Sequence, residues 1–465
     1  MLVETATSAV ISFFSLMLIA RAIGPDAAGI GAVAIAAFLF LDLAGAALFT
    51  DALVQRPGLT PLEARSAVTA QVLAGLAGAG VLVLLAPLIA ARVEAPELLP
   101  LILALAPLLP LSAFSGAVSG LVLRQTRYRL LALRAVLGLP LGLAVGLALA
   151  RVGLGPWAMV AHQTTATLTT FLLLLFFARQ GLRPRLSLPA LAGLWRVAGP
   201  QVLSVVVQAG RYRLFLIALG VVATEAVVAV SNVAFRLVES VLVVVWSTAS
   251  RLALPRFSAV QQDRTALADA YGDVAELQAL LGMPIAAGVA LTAPDLVHAL
   301  LGPVWASAAE AARVVGWVAV GSFAWGDTGS LFVALGKTRR NLVVALIALV
   351  VPLAGLLLLR PETPAGVAWC WAATTFVTGP VVTVLALREI RRSPLWLLRR
   401  IAPALAATGT MTVAVLLLRA ELMLPPLVGL TTAAVAGAMV FALVAWLGLG
   451  RRMPRALRPL ALPAE

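Results

Sequence analysis

The sequence predicts an all-α polytopic membrane protein of about 14 transmembrane helices. They read as two six-helix bundles related by a parallel repeat, followed by two further C-terminal helices. Three observations carry this. Of 465 residues, 62% are hydrophobic and only 12% charged, with mean hydropathy +1.04, whereas a soluble domain is about 25% charged. The apolar residues fall into runs near the length of about 20 that a spanning helix needs. The basic residues alternate: with the N-terminus placed inside, 25 of the 34 fall in one set of loops and the tail, and six in the other. Cytoplasmic loops carry such an excess of Arg and Lys.

Charge, Pro and Gly bound the runs. They lie near 4–22, 28–50, 66–91, 98–122, 130–150 and 154–178, then, past a basic break, 197–220, 223–250, 277–293, 309–333, 342–359, 365–387, 401–418 and 427–449. The run at 277–293 is short and is the weakest. The first run lacks a basic lead and a small-residue cleavage site, so it reads as a spanning helix rather than a cleaved signal. The stretch 256–276 alternates charge with Leu267, Ala270 and Val274, which predicts an amphipathic helix on the membrane surface.

The chain repeats itself. Leu16, Leu18, Ile19 and Ala20 match Leu214, Leu216, Ile217 and Ala218 at an offset of 198. The loop Gln125–Leu130 matches Lys337–Leu342 at 212, and Gly155–Ala158 faces Gly366–Trp369 at 211. Both copies then have six helices and one orientation, a parallel repeat about the membrane normal. The expected organisation is a bundle over 1–185, a second over 186–392, two extra helices over 393–450 and a basic cytoplasmic tail over 451–465.

Several functions are disfavoured. The net charge of +14 suits cytoplasmic loops better than nucleic acid. Cys370 is the sole cysteine, which excludes an intrachain disulfide and a cysteine-based metal site. No Gly-rich loop ends in Lys-Ser or Lys-Thr, so ATP is not expected to be used directly, and no cofactor is expected. No loop is long enough for the chemistry of a polytopic glycosyltransferase or polymerase. The Gly–Asp–Arg-rich loop of a major facilitator is absent from Asp51–Arg65.

Several strings in order resemble the polysaccharide branch of the multidrug/oligosaccharidyl-lipid/polysaccharide (MOP) exporter superfamily, the Wzx-type flippases. These are Ala20-Arg21 with Gly24-Pro25 and Gly29, Leu53–Arg56 with Leu59-Thr60, and Pro255–Ser258 with Gln262-Asp263 and then Pro284. Leu300–Trp305 and Ala334–Lys337 follow. The chain differs in span seven, where many members carry an acidic residue and this one has Arg211-Tyr212-Arg213. The resemblance implies two bundles around a cavity and transfer of an undecaprenyl-diphosphate-linked oligosaccharide (an O-antigen, capsule or exopolysaccharide unit) to the outer leaflet of a bacterial inner membrane. A polysaccharide polymerase and glycosyltransferases are candidate partners, and working alone is the alternative. A cation-coupled small-molecule antiporter of the same superfamily and a lipid II flippase are the alternatives.

A diphosphate in a low-dielectric cavity needs cations, and the arginine fork matches it geometrically. Charges inside spans are costly and face a cavity or a partner. The expected diphosphate ligands are therefore Arg21, Arg211, Arg213 and Arg236, each weighed against pairing or snorkelling to the interface. Asp42, Glu239 and Asp327 are candidates for ion or proton coupling. Asn232, Arg236 and Glu239 share one face of span eight, where an internal Arg–Glu pair is the bland alternative. Asn232, His162 and Gln163 are expected polar cavity lining, although hydrogen bonding between packed helices explains span six equally well.

Overall fold

A computed structural model describes residues 2–178, 183–422 and 425–450. Arg179 and the basic tail over 451–465 lie outside the described residues. The described chain forms seventeen α-helices: α1 (Leu2–Ile23), α2 (Pro25–Ala47), α3 (Thr50–Gln55), α4 (Pro61–Arg92), α5 (Leu98–Leu105), α6 (Leu108–Arg124), α7 (Tyr128–Arg151), α8 (Trp157–Ala178) and α9 (Leu188–Val222). They continue as α10 (Glu225–Ala259), α11 (Arg264–Leu301), α12 (Ala308–Ser322), α13 (Thr328–Ala334), α14 (Thr338–Leu359), α15 (Pro364–Glu389), α16 (Pro394–Glu421) and α17 (Pro426–Gly448).

The all-helical membrane architecture holds, and the count of 14 is approximate. Twelve stretches among the described residues are long and apolar enough to cross a membrane, α2–α3 and α5–α6 each counting as one. The first expected span contributes a shorter apolar stretch, Ile11–Ile23. The tenth is broken into α12 and α13 around Phe323–Asp327. The fourth is likewise interrupted, at Ala106 and Pro107.

The weakest run proves the most buried of the twelve. It lies within α11, a helix of 38 residues, about 57 Å at 1.5 Å per residue against a hydrocarbon core of about 30 Å. This corrects the surface helix expected over 256–276. Arg256 ends α10, and the acidic stretch is the first part of α11, with Leu267, Tyr271, Val274 and Glu276 buried. Asp263 starts it by accepting from the amides of Thr265 (2.8 Å) and Ala266 (3.2 Å), the N-cap arrangement that satisfies free amides. From α16, Arg400 reaches the acidic residues of α11, meeting Asp269 at 2.7 Å and Asp273 at 2.9 Å.

The chain divides into two compact units. One comprises Met1–Asn232 with Leu356–Glu362, and the other Val233–Gly355 with Thr363–Glu465. Within the first, α7 packs on α8, α4 on α6 and α2 on α9; within the second, α11 packs on α12 and α16, and α16 on α17. Small residues permit the close approaches. Gly29 of α2 lies so near the Glu225 carbonyl that a Cβ there would sit 2.0 Å from its oxygen.

Candidate functional site

In the first unit, the apolar stretch Pro25–Gln55 breaks between α2 and α3, freeing backbone groups in the protein interior. Gln71, fully buried on α4, bridges the break. Its Oε1 accepts from Phe49 N (3.0 Å) and its Nε2 donates to Ala46 O (2.7 Å). Thr50 Oγ1 donates to that same carbonyl at 2.8 Å. Hydrocarbon offers no water, so such groups must find partners within the protein. Before the break on α2, Asp42 accepts a hydrogen bond from Ser112 of α6. Its Oδ1 is buried and has no hydrogen-bond partner among the described residues. At the other end of the break, Arg124 donates to the carbonyls of Leu53 and Val54 (3.2 Å each) and Arg56 (2.6 Å), satisfying the open end of α3.

The basic pair of span seven is half-buried on α9. Between its two arginines, Tyr212 donates from Oη to Asn232 Oδ1 on α10 at 2.7 Å. The Arg213 guanidinium lies 5.7 Å from the Tyr212 ring centre. The structure therefore joins Arg213, Tyr212 and Asn232 into one polar group. Tyr212 drew no role from the sequence, because a tyrosine in an apolar run looks like packing until its hydroxyl has a partner.

Further along α10, Arg236 and Glu239 fall within the second unit. Both are half-buried, and Arg236 Nε is buried without an acceptor among the described residues. Arg21 is exposed in the last turn of α1. Asp327 is occupied locally: it caps α13, with Oδ1 accepting from Ser330 N (3.0 Å) and Oδ2 from Ser330 Oγ (2.8 Å). His162 packs on α7, where a Cβ at Gly142 would lie 2.9 Å from His162 Nδ1. Gln163 donates to Thr167 Oγ1 at 3.2 Å within α8. No group of three or more His, Cys, Asp or Glu could hold a metal ion among the described residues.

Twelve long apolar stretches among the described residues, with charged side chains within several of them, make this a multi-pass membrane protein. The fold is shared with the inward closed conformation of the lipid II flippase MurJ, at TM-score 0.74 and 10% identity, covering 96% of this chain and 97% of that one. It is shared also with an inward-facing multidrug resistance MATE family transporter of the MOP superfamily, at TM-score 0.66 and 16% identity, covering 83% and 94%. At such identities the likeness is one of fold. The chain belongs to the family described as "Polysaccharide biosynthesis protein", whose model matches residues 18–310, more than half of its length. No curated protein matches it.

Proposed function

We propose that the protein flips an undecaprenyl-diphosphate-linked oligosaccharide from the cytoplasmic to the periplasmic leaflet of a bacterial inner membrane. Both termini are cytoplasmic in this reading, and the chain is organised as six, six and two helices with divisions near 185 and 392. The observation that carries it is the match to the polysaccharide biosynthesis family over residues 18–310. The guanidinium groups of Arg211, Arg213 and Arg236 suit the charge of the cargo, and Arg21 adds a cation at the end of α1. A buried Arg236 Nε without an acceptor among the described residues is costly unless an anion arrives. The diphosphate supplies that anion, and alternating access carries it across.

Asp42 is the favoured coupling carboxyl. Its buried Oδ1 has no donor among the described residues, so a proton or a small cation is the natural partner. Glu239 is the second candidate. Asp327 is the least suited, since its cap uses both oxygens. The Asp42 environment also favours a cation-coupled small-molecule antiporter as the second reading, while the MurJ-like fold keeps a lipid II flippase as a third.

The test is a deletion strain extracted for lipid-linked sugars, with and without the restored gene. Undecaprenyl-diphosphate oligosaccharide should build up where added enzymes cannot reach it, and surface polymer should fall. Glycosyltransferases upstream and a polymerase downstream should remain active. Unchanged lipid-linked sugars and polymer would refute the flippase reading and turn attention to drug sensitivity.

A further inference from the structure

We propose that a cleft between α14 and α15 in the second unit binds an anionic phospholipid, with its phosphate at Lys337 and Arg339 and its acyl chains in the cleft. The cleft has a volume of about 550 Å³, within the range of about 300–1,000 Å³ that small-molecule sites occupy. Its walls are almost wholly apolar and include Val343, Ile347, Val381 and Leu385. Val343 and Val381 are half exposed. The two helices come close at their other end, where a Cβ on Gly355 would lie 3.4 Å from Cys370 Cβ.

At the mouth sit Lys337, Arg339 and Arg340, on the first turn of α14 and just before it. Cations at a helix N-terminus oppose the helix dipole, so this placement calls for anions. Glu389 answers two of the three, meeting Lys337 at 2.5 Å and Arg340 at 2.7 Å. Arg340 also lies over the Phe332 ring, which fixes its position. Arg339 is exposed and forms no ion pair among the described residues. The mouth thus keeps a net positive charge directly above an apolar cleft, the pattern that holds an anionic headgroup over its chains.

Length selects the occupant. From Lys337 to Ile347 is about 15 Å along the helix, roughly one leaflet of a hydrocarbon core of about 30 Å. Acyl chains of one leaflet fill that depth, whereas a prenyl chain able to cross the bilayer would overrun it. The bound lipid is therefore a resident of the membrane, distinct from the cargo proposed above, and the inference does not depend on that cargo.

Lys337 is the sole lysine, so acylation by an amine-reactive ester, read by peptide mass spectrometry, reports on the mouth alone. The full chain is placed in phosphatidylcholine vesicles with and without phosphatidylglycerol. Phosphatidylglycerol should slow Lys337 acylation about fivefold, the worth of one basic residue near an anionic surface. Val381→Trp fills the cleft and leaves the mouth charges intact, so it should lose that protection; Arg339→Gln should weaken it. Each variant is first checked for an unchanged melting temperature, and one that has fallen is replaced by Val343→Trp. Equal protection in wild type and the cleft-filled variant would reduce the effect to surface potential and overturn the proposal. So would no effect of phosphatidylglycerol, or protection by a lipid-linked diphosphate in place of phosphatidylglycerol.

Discussion

Replacing Gln71 with Met tests how this protein satisfies a broken helix in its interior. The side chains are close in size, so little packing changes, but both hydrogen bonds across the α2–α3 break disappear. The two losses are unequal. Ala46 O keeps the Thr50 hydroxyl at 2.8 Å, so it is not orphaned. Phe49 N–H has Gln71 Oε1 as its acceptor, and Phe49 is 3% exposed. One orphaned buried donor costs about 1–3 kcal/mol. For a unit of this size that is a drop in Tm of about 2–12 °C, read by thermal melting of the detergent-purified protein. Gly116→Ala strikes the same junction from α6, since its Cβ would lie 2.0 Å from Ala46 O and 2.9 Å from Gln71 Nε2. The two changes together should cost less than their sum, because each removes what the other leaves. A Gln71→Met protein that melts with the wild type, or strict additivity of the pair, would refute the clamp.

Three further outcomes follow from local geometry. Gly29→Ala drives a Cβ against the rigid backbone of Glu225 and should cost about 1–3 kcal/mol in melting experiments. Gly80→Ala, at an exposed helical glycine with nothing within 4 Å, should stabilise by up to about 1 kcal/mol; the same sign for both would contradict the packing described. Hydrogen bonds from Thr265 and the Ala266 amide hold the Asp263 carboxyl below its usual range. A depressed carboxyl contributes stability above its unfolded value of about 3.9 and loses it as pH falls through the folded one. The melting gap between wild type and Asp263→Ala should therefore be present at pH 7 and close below about pH 4.

The candidate site was legible in part. Asp42, Arg211, Arg213, Arg236 and Asn232 stood out because a polar or ionisable side chain in an apolar run is costly wherever it points. Gln71, Ser112 and Tyr212 did not, because their importance lies in a partner 20 or more residues away: Phe49 for Gln71, Asp42 for Ser112 and Asn232 for Tyr212. Asp327 carried the same sequence signal as Asp42, yet it caps a helix that begins only because the tenth span breaks there. Nor could the sequence tell basic residues that mark a cytoplasmic loop from those with a local task. Arg124 closes α3, Arg400 holds the acidic start of α11, and Lys337 and Arg340 share Glu389.

By itself, then, the sequence determined the solvent, the helical class, the approximate number of crossings and the alternation of charge. Each follows from composition summed over about 20 residues, and sums tolerate local error. Only the tertiary structure decided where spans break, that 264–301 is one continuous helix, and which buried charges meet a partner. Those outcomes depend on single contacts between residues far apart in the chain, such as Gln71 with Phe49 or Arg400 with Asp269. No local average carries that information.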